Sequence, residues 1–296
     1  MSASASRLYR LCGVASPPSP VLVVALDGWV DAGLAATTAV ATLLSSIETD
    51  AYAVFDSEAL LDQRARRPQA KIIDGILEAL TWPEIVLRAG TDRAGVGVLV
   101  LVGPEPDLQW RTFADEVAEL ALGLGSRLVV GFGGFPAGAP HTRPVKLAAT
   151  ASTRELAERV GFISGEIEVP AGVQAAVERA CANAGIPSVG MWARVPHYVA
   201  GMAYPAAALA LLEGLQELSG VDVDVRELAG ASLVARSKVD ELIAENTEHQ
   251  SMVRQLEQHI DDLEGVSDSL DDGPMPTGDE IAAEFERYLR GETGER

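Results

Sequence analysis

Residues 20–26, Pro-Val-Leu-Val-Val-Ala-Leu, form an apolar run rich in β-branched side chains. A strand of that composition has to be buried, and the polar turn Asp27-Gly28-Trp29-Val30-Asp31-Ala32-Gly33 follows it directly. Residues 34–44 are Ala- and Leu-rich and read as helix. Strand, polar glycine turn and helix in that order open many doubly wound folds, so the expected class is α/β. At such a turn Asp27 and Asp31 have two available roles. They can cap the helix, or they can hold a cation near its start.

Further strands are expected at 51–55, 84–87, 96–102, 128–130, 145–149 and 186–193, with 84–87 and 96–101 joined as a hairpin. Helices are expected at 72–80, bent at Gly75, and at 110–122, 152–160 and 172–184. Another runs from Pro205, near its first turn, to Ser219, with Gly220 as its stop signal. Strands disappear from Val225 onward. Two helices follow at 231–244 and 248–263, then a loop at 265–278 rich in Asp, Ser, Gly and Pro. Thr277 and Glu280 form a capping box for a last helix with Ile281, Phe285, Tyr288 and Leu289 on one face. The expected division is an α/β core over 1–224 and an acidic helical part over 225–296.

Chemistry concentrates at the predicted strand exits. Leu128-Val129-Val130 empties into a stretch with Gly131, Gly133, Gly134 and Gly138, punctuated by Pro136 and Pro140 and followed by His141, Thr142 and Arg143. Read as a loop, it offers an imidazole and a guanidinium beside backbone that can approach another surface closely. Glu105 and Asp107 are held between prolines at the exit of the 96–102 strand, either as an acid–base pair or as turn and cap residues. His197 and Tyr198 stand at the exit of the 186–193 strand. Arg64, Arg66 and Arg67 put three guanidiniums in four residues, able to clamp a carboxylate or phosphate or to pair with Asp56, Glu58 and Asp62.

Charge narrows the partners. The chain has 23 Lys+Arg against 43 Asp+Glu, a net of −20, and beyond residue 221 the net is −13. Nucleic-acid binding needs clustered cations, so it is excluded as an expectation. The two cysteines, Cys12 and Cys181, have no metal-ligand or disulfide spacing, which fits a reducing cytoplasm. No run approaches the about 18 apolar residues of a membrane helix. The dinucleotide fingerprint fails, because Gly131-x-Gly133 is followed by Pro136. There is no phosphate-loop Gly-Lys-Ser/Thr, no Gly-x-Ser-x-Gly elbow and no zinc constellation among the four histidines, so no cofactor or metal is expected.

GWVDAG (28–33), RARRP (64–68), GPEPDLQW (103–110), PHTRP (140–144), WARVPHYVAG (192–201) and EFERYLR (284–290) occur in this order. Together they resemble the proteasome assembly chaperone 2 family, in its actinobacterial branch. The resemblance implies a three-layer α/β/α sandwich similar to the purine nucleoside phosphorylase type, with a C-terminal helical appendage. It also implies homo-oligomers, with trimers favoured, and a chaperone-like binding role toward the proteasome or another protein assembly. Bacterial members have also been labelled possible carboxylate–amine ligases. The alternative reading is therefore a small-molecule enzyme or sensor that binds a small anionic ligand in a crevice at the strand C-termini. In that reading the crevice is lined by Asp27, Trp29, Asp31, Arg64, Arg67, Glu105, Asp107, His141, Arg143, His197 and Tyr198. His141 and Arg143 would polarise or anchor the anion, His197 would carry a proton, and Asp27, Asp31 or Glu105 would orient it. Relatives that dock on the proteasome end in a hydrophobic residue, a tyrosine and one final residue. This sequence ends Gly294-Glu295-Arg296, which directs the expectation toward binding through the body.

Overall fold

The computed structural model describes residues 7–28 and 30–268. In chain order the strands are β1 (Tyr9–Leu11), β2 (Val21–Asp27), β3 (Thr49–Phe55), β4 (Gln69–Ile73), β5 (Ile76–Thr81), β6 (Val86–Thr91), β7 (Gly97–Pro104), β8 (Leu128–Ala137), β9 (Leu147–Ala151) and β10 (Ser188–Pro196). The helices are α1 (Ala35–Ser46), α2 (Ser57–Leu60), α3 (Trp110–Gly123), α4 (Arg154–Val160), α5 (Val173–Asn183), α6 (Pro205–Ser219), α7 (Arg226–Ala244) and α8 (Thr247–Asp268). None of them is long and apolar enough to cross a membrane.

Eight strands form one sheet in the order β1-β3-β6-β7-β2-β8-β10-β9, and β4 and β5 pair only with each other. Strands β7, β2, β8 and β10 run parallel in the middle, while the outer pairings are antiparallel. The alternation of side chains along a strand splits the apolar residues between two faces. Val21, Val23 and Ala25 of β2 join Val130, Met191 and Val195 beneath α1 and α6. Leu22 and Val24 join Leu99, Leu101 and Val129 beneath α3 and α5. Both faces of the central strands are therefore covered, as the uninterrupted apolar run at 20–26 requires. The expected α/β class, with helices on both sides of a large sheet, is the class observed.

Most expected elements appear within a few residues of their predicted bounds, and two differ in kind. The helix expected at 72–80 is the β4–β5 hairpin. Its turn is Asp74-Gly75, with φ of 49° and 82°. Positive φ at both central residues is the signature of a type I′ turn, which Asp-Gly satisfies at little cost and which matches the twist of two antiparallel strands. The glycine-rich stretch expected as a loop is instead the continuation of β8 to Ala137, paired with β10 from Val129↔Ser188 to Ala137↔Pro196. The strand at 145–149 is shifted to β9, an antiparallel edge on β10. The short elements β1 and α2 were not expected from the sequence. The last predicted helix, with Thr277, Glu280 and the 284–290 motif, lies outside the described residues.

Cys181 is fully buried on α5, and burial, reinforced by the nearby Glu178 carboxylate, pushes its thiol up to about 12. Only a thiolate reacts readily with an aromatic disulfide. Native protein at pH 8 should therefore release one equivalent of chromophore from such a reagent, from Cys12, and a second only in denaturant. Two rapid equivalents from native protein would contradict this placement of α5.

Candidate functional site

Strands β2 and β8 pair from Val21↔Leu128 to Val24↔Gly131 and then part, with only a bridge from Asp31 to Gly134 beyond. The gap opens at the carboxyl ends of the parallel strands, where successive crossovers leave to opposite faces, the usual ligand position in such a sheet. Asp27, Asp31, Glu105, Gln174 and Trp192 are among its lining residues.

The carboxylates in this crevice are already engaged. Asp31 accepts from the backbone N–H of Ala36 at 2.7 Å and of Thr37 at 3.0 Å, and from the Thr37 hydroxyl at 2.7 Å. It thereby caps the start of α1, satisfying donors that the helix cannot satisfy itself. Glu105 accepts from Val173 N–H at 2.6 Å and does the same for α5. Asp27 has its carboxyl raised above the usual range, mainly by burial and then by the neighbouring Asp31. A Cβ at Gly28 would lie 3.0 Å from the Glu105 Cβ, so the turn closes tightly over the carboxylates only with glycine there. Asp107 faces Arg66 at 3.1 Å and accepts from Asp62 N–H at 2.8 Å. Of the arginine cluster it is Arg66 that turns inward. Arg64 meets Asp62 in solvent and Arg67 is exposed. The crevice holds about 30 Å³, room for one or two waters and no more. Trp29 lies outside the described residues.

His141 and Arg143 are used differently. None of His141, Arg143, His197 and Tyr198 lines the crevice. The His141 ring is buried, with Nδ1 2.7 Å from Tyr198 Oη and Nε2 2.9 Å from Asp240 Oδ1 on α7. The backbone N–H of His141 also donates to Tyr198 Oη at 2.8 Å. The phenolic oxygen accepts from that N–H, and its own O–H can donate to Nδ1 in the tautomer that carries the ring proton on Nε2 facing Asp240. Burial pushes the Tyr198 hydroxyl up to about 12, so it stays a donor. Arg143 grips Asp261 of α8 through Nε at 3.0 Å and Nη2 at 2.8 Å, a two-pronged ion pair that lowers the Asp261 pKa. Thr142 donates to Glu257, and Arg236 of α7 donates to the Thr142 carbonyl at 3.3 Å. The loop at 138–146 is thus a clasp for α7 and α8. The expectation that it forms one cavity with Glu105 and His197 is corrected, because the acidic helices take up both cationic and imidazole groups. His197 is exposed and stacks edge-on against Tyr198 with ring centroids 5.3 Å apart.

A third group was not singled out by the sequence reading. On the α5 side of the sheet β8 and β10 present Gly131, Gly133 and Gly190. A Cβ at Gly131 would fall 2.3 Å from the Gln174 side chain, one at Gly133 2.4 Å from the Trp192 ring, and one at Gly190 2.3 Å from Glu178 Oε1. Gly133 admits no side chain unless the Trp192 ring moves, and a side chain at Gly131 or Gly190 would have to displace Gln174, or Glu178 and Thr150, which cover the sheet there. Glu178 accepts from Thr150 at 3.0 Å and from Gln174 at 3.2 Å, and the Trp192 N–H donates to Thr150 at 3.2 Å. Burial raises the Glu178 carboxyl from about 4.5 to about 7, against the smaller opposing effect of its two hydrogen bonds. The one local signal was the spacing of Gln174 and Glu178 by a helical turn.

The geometry defines a class first: an open α/β sheet layered by helices, clasped at its carboxyl edge by a C-terminal helical pair. The PAC2 family model matches residues 25–243, and the chain belongs to that family. Among solved structures it is similar to a Mycobacterium tuberculosis protein of unknown function, Rv2714, at 35% identity and a TM-score of 0.81, covering 88% of this chain and 91% of that one. It is similar to the M. tuberculosis proteasome-assembly chaperone homologue Rv2125 at 35% identity and a TM-score of 0.73, covering 79% and 99%. A PAC2 family protein from Streptomyces avermitilis is 34% identical with a TM-score of 0.70, covering 79% and 99%. No curated protein matches.

The raised Glu178 pKa has a definite sign in stability. The native state holds more protons than the unfolded chain between about pH 4.5 and 7, so stability falls as pH rises through that window. Glu178→Gln, which keeps the shape and stays neutral, should flatten the fall in melting temperature over that range. An unchanged slope would show that Glu178 titrates freely. For the clasp, His141→Ala leaves Tyr198 and Asp240 without their partner and should cost about 1–3 kcal/mol. Hydrogen exchange should then speed up across α7, with the amides of β2 and β7 unchanged. Unaltered α7 protection would remove His141 from the clasp.

Proposed function

We propose that this chain is a self-associating, chaperone-like binding protein that acts on protein assemblies, as the proteasome-assembly chaperone homologue among its relatives does by name. The observation that carries this reading is the β4–β5 hairpin. Ile72, Ile76 and Leu77 on its strands are 62%, 68% and 56% exposed, and Trp82 just beyond is 51% exposed. Ile73 and Leu80 are exposed as well. A two-stranded hairpin alone is marginal in water, and a contiguous apolar surface of several hundred Å² marks an interaction site. Two copies carrying −20 each repel in general, so they meet best where charge is sparse. Along the hairpin strands only Lys71 and Glu78 are charged, and these two pair with each other at 3.3 Å.

Several features support binding over small-molecule catalysis. His141 and Arg143 are committed to α7 and α8, the crevice carboxylates cap helices, and the crevice itself is water-sized. The proteasome, or another protein complex, is the assembly this reading names as target. The free thiols Cys12 and Cys181 support placement in a reducing compartment such as the cytoplasm.

The test is the mass of the full chain in solution, by sedimentation equilibrium. Wild type should be an oligomer, a trimer on family grounds. The double variant Ile76→Asp/Leu77→Asp, at positions that make no core contact, should be monomeric with an unchanged melting temperature. A monomeric wild type, or a variant that keeps the wild-type mass, would overturn the proposal.

A further inference from the structure

Arg194 sits on β10, opposite Phe135 of β8, with its backbone N–H donating to Lys146 O at 3.0 Å. Strand alternation puts its side chain on the same face as Trp192 and Gly190. It is partly buried, and its Nε is sealed from solvent with no hydrogen-bond partner among the described residues. Burial lowers its proton affinity.

That is anomalous in this chain. With 43 acidic residues, every other inward-turned guanidinium described has found oxygen. Arg66 faces Asp107, Arg88 donates to Thr49, and Arg143 holds Glu257 and Asp261. A buried N–H left without a partner is costly and calls for a specific explanation. Two residues earlier on the same face, the Trp192 ring covers Gly133, where any Cβ would collide with it at 2.4 Å, and the same residue forms part of the crevice wall. A guanidinium fork on the same strand face as an indole suits an oxyanion attached to a flat apolar body, since the fork binds carboxylate or phosphate with two donors.

We propose that Arg194 and Trp192 form a binding site for a small ligand with a carboxylate or phosphate head group. The site is independent of the self-association proposed above, because it uses the opposite end of the sheet order from the hairpin strands' neighbours and a different chemistry.

The full-length protein is titrated by calorimetry with inorganic phosphate and, separately, with sodium benzoate. Wild type should bind at least one of them saturably; which one it prefers identifies the head group. Arg194→Gln should weaken that binding at least tenfold, Arg194→Lys should recover part of it as a point charge without the fork, and Arg179→Gln, an exposed position on α5, should bind as wild type. No saturable binding of either probe, or equal binding by wild type and Arg194→Gln, would overturn the site. Melting curves in a chloride buffer keep the test clear of misfolding. Arg194→Met, which retains the apolar stem, should melt no lower than wild type if the guanidinium lacks a native partner. A drop of several degrees would show that it has one, and would also overturn the proposal. Arg194→Gln should leave the sedimentation mass unchanged, and a change of mass without a change in anion binding would reassign Arg194 to the subunit interface.

Discussion

The pairing of β8 with β10 is the interaction on which the rest of the molecule depends. It runs unbroken from Val129↔Ser188 to Ala137↔Pro196, while β2 leaves β8 after Val24↔Gly131. That difference in length opens the crevice on one side of β8. It also carries the chain out to Pro140, where the next loop can reach α7 and α8. Glycines at 131, 133 and 190 make the long pairing possible in a crowded place. They give up side chains so that Gln174, Trp192 and Glu178 can rest on the sheet itself. Glycine inside a strand is ordinarily weakening, and here its position marks a close approach of neighbouring groups.

Charge organises the second half of the fold. Beyond residue 221 the net charge is −13, and three of the acids there, Asp240 of α7 and Glu257 and Asp261 of α8, are held by a short segment that concentrates His141, Thr142 and Arg143. Alone, an exposed ion pair contributes little. Here the side chain of Asp240 is half exposed, but its partner His141 is buried and fixed by Tyr198, so the ring is preorganised before the helix arrives. Leu228 and Val239 extend the α6 side of the core into α7, so apolar burial and the clasp act on the same helix.

The framework was legible where pattern is local. The apolar run of β2, the amphipathic face of α3 with Phe113, Val117 and Leu120 buried, and the Pro205-to-Gly220 span of α6 are each dictated by neighbours in sequence. The errors have physical causes. Gly131, Gly133 and Gly134 punctuate a sequence as a loop does, and only the side chains lying over them reveal a strand. Residues 72–80 lack clean alternation, and the Asp74-Gly75 turn was outweighed by their apolar content. At the candidate site the residue types were visible, since His141, Arg143, Tyr198, Asp27 and Glu105 were all singled out. Their roles were not, because Asp240 and Asp261 lie about a hundred residues from the loop they engage. Thr150, Gln174 and Glu178 carry no motif, and their importance arises only from what packs against them; Arg66 and Arg194 lie within the RARRP and WARVPHYVAG motifs, which did not reveal their surroundings.

This contrast bears on how the carboxyl edge of the sheet works. Three acids point toward the parting of β2 and β8, an arrangement that in isolation suggests acid–base chemistry. Two of them are spent as helix caps, Asp31 on α1 and Glu105 on α5. Both are committed to backbone donors, whereas burial raises the Glu178 carboxyl to about 7, the range where proton carriers operate. The acid with the right proton affinity is therefore on the α5 side, linked through Thr150 to Trp192. The α5 face of the sheet is arranged around the Gly190–Trp192–Arg194 row of β10, and the imidazole of His141, whose residue type drew attention first, is placed to hold α7.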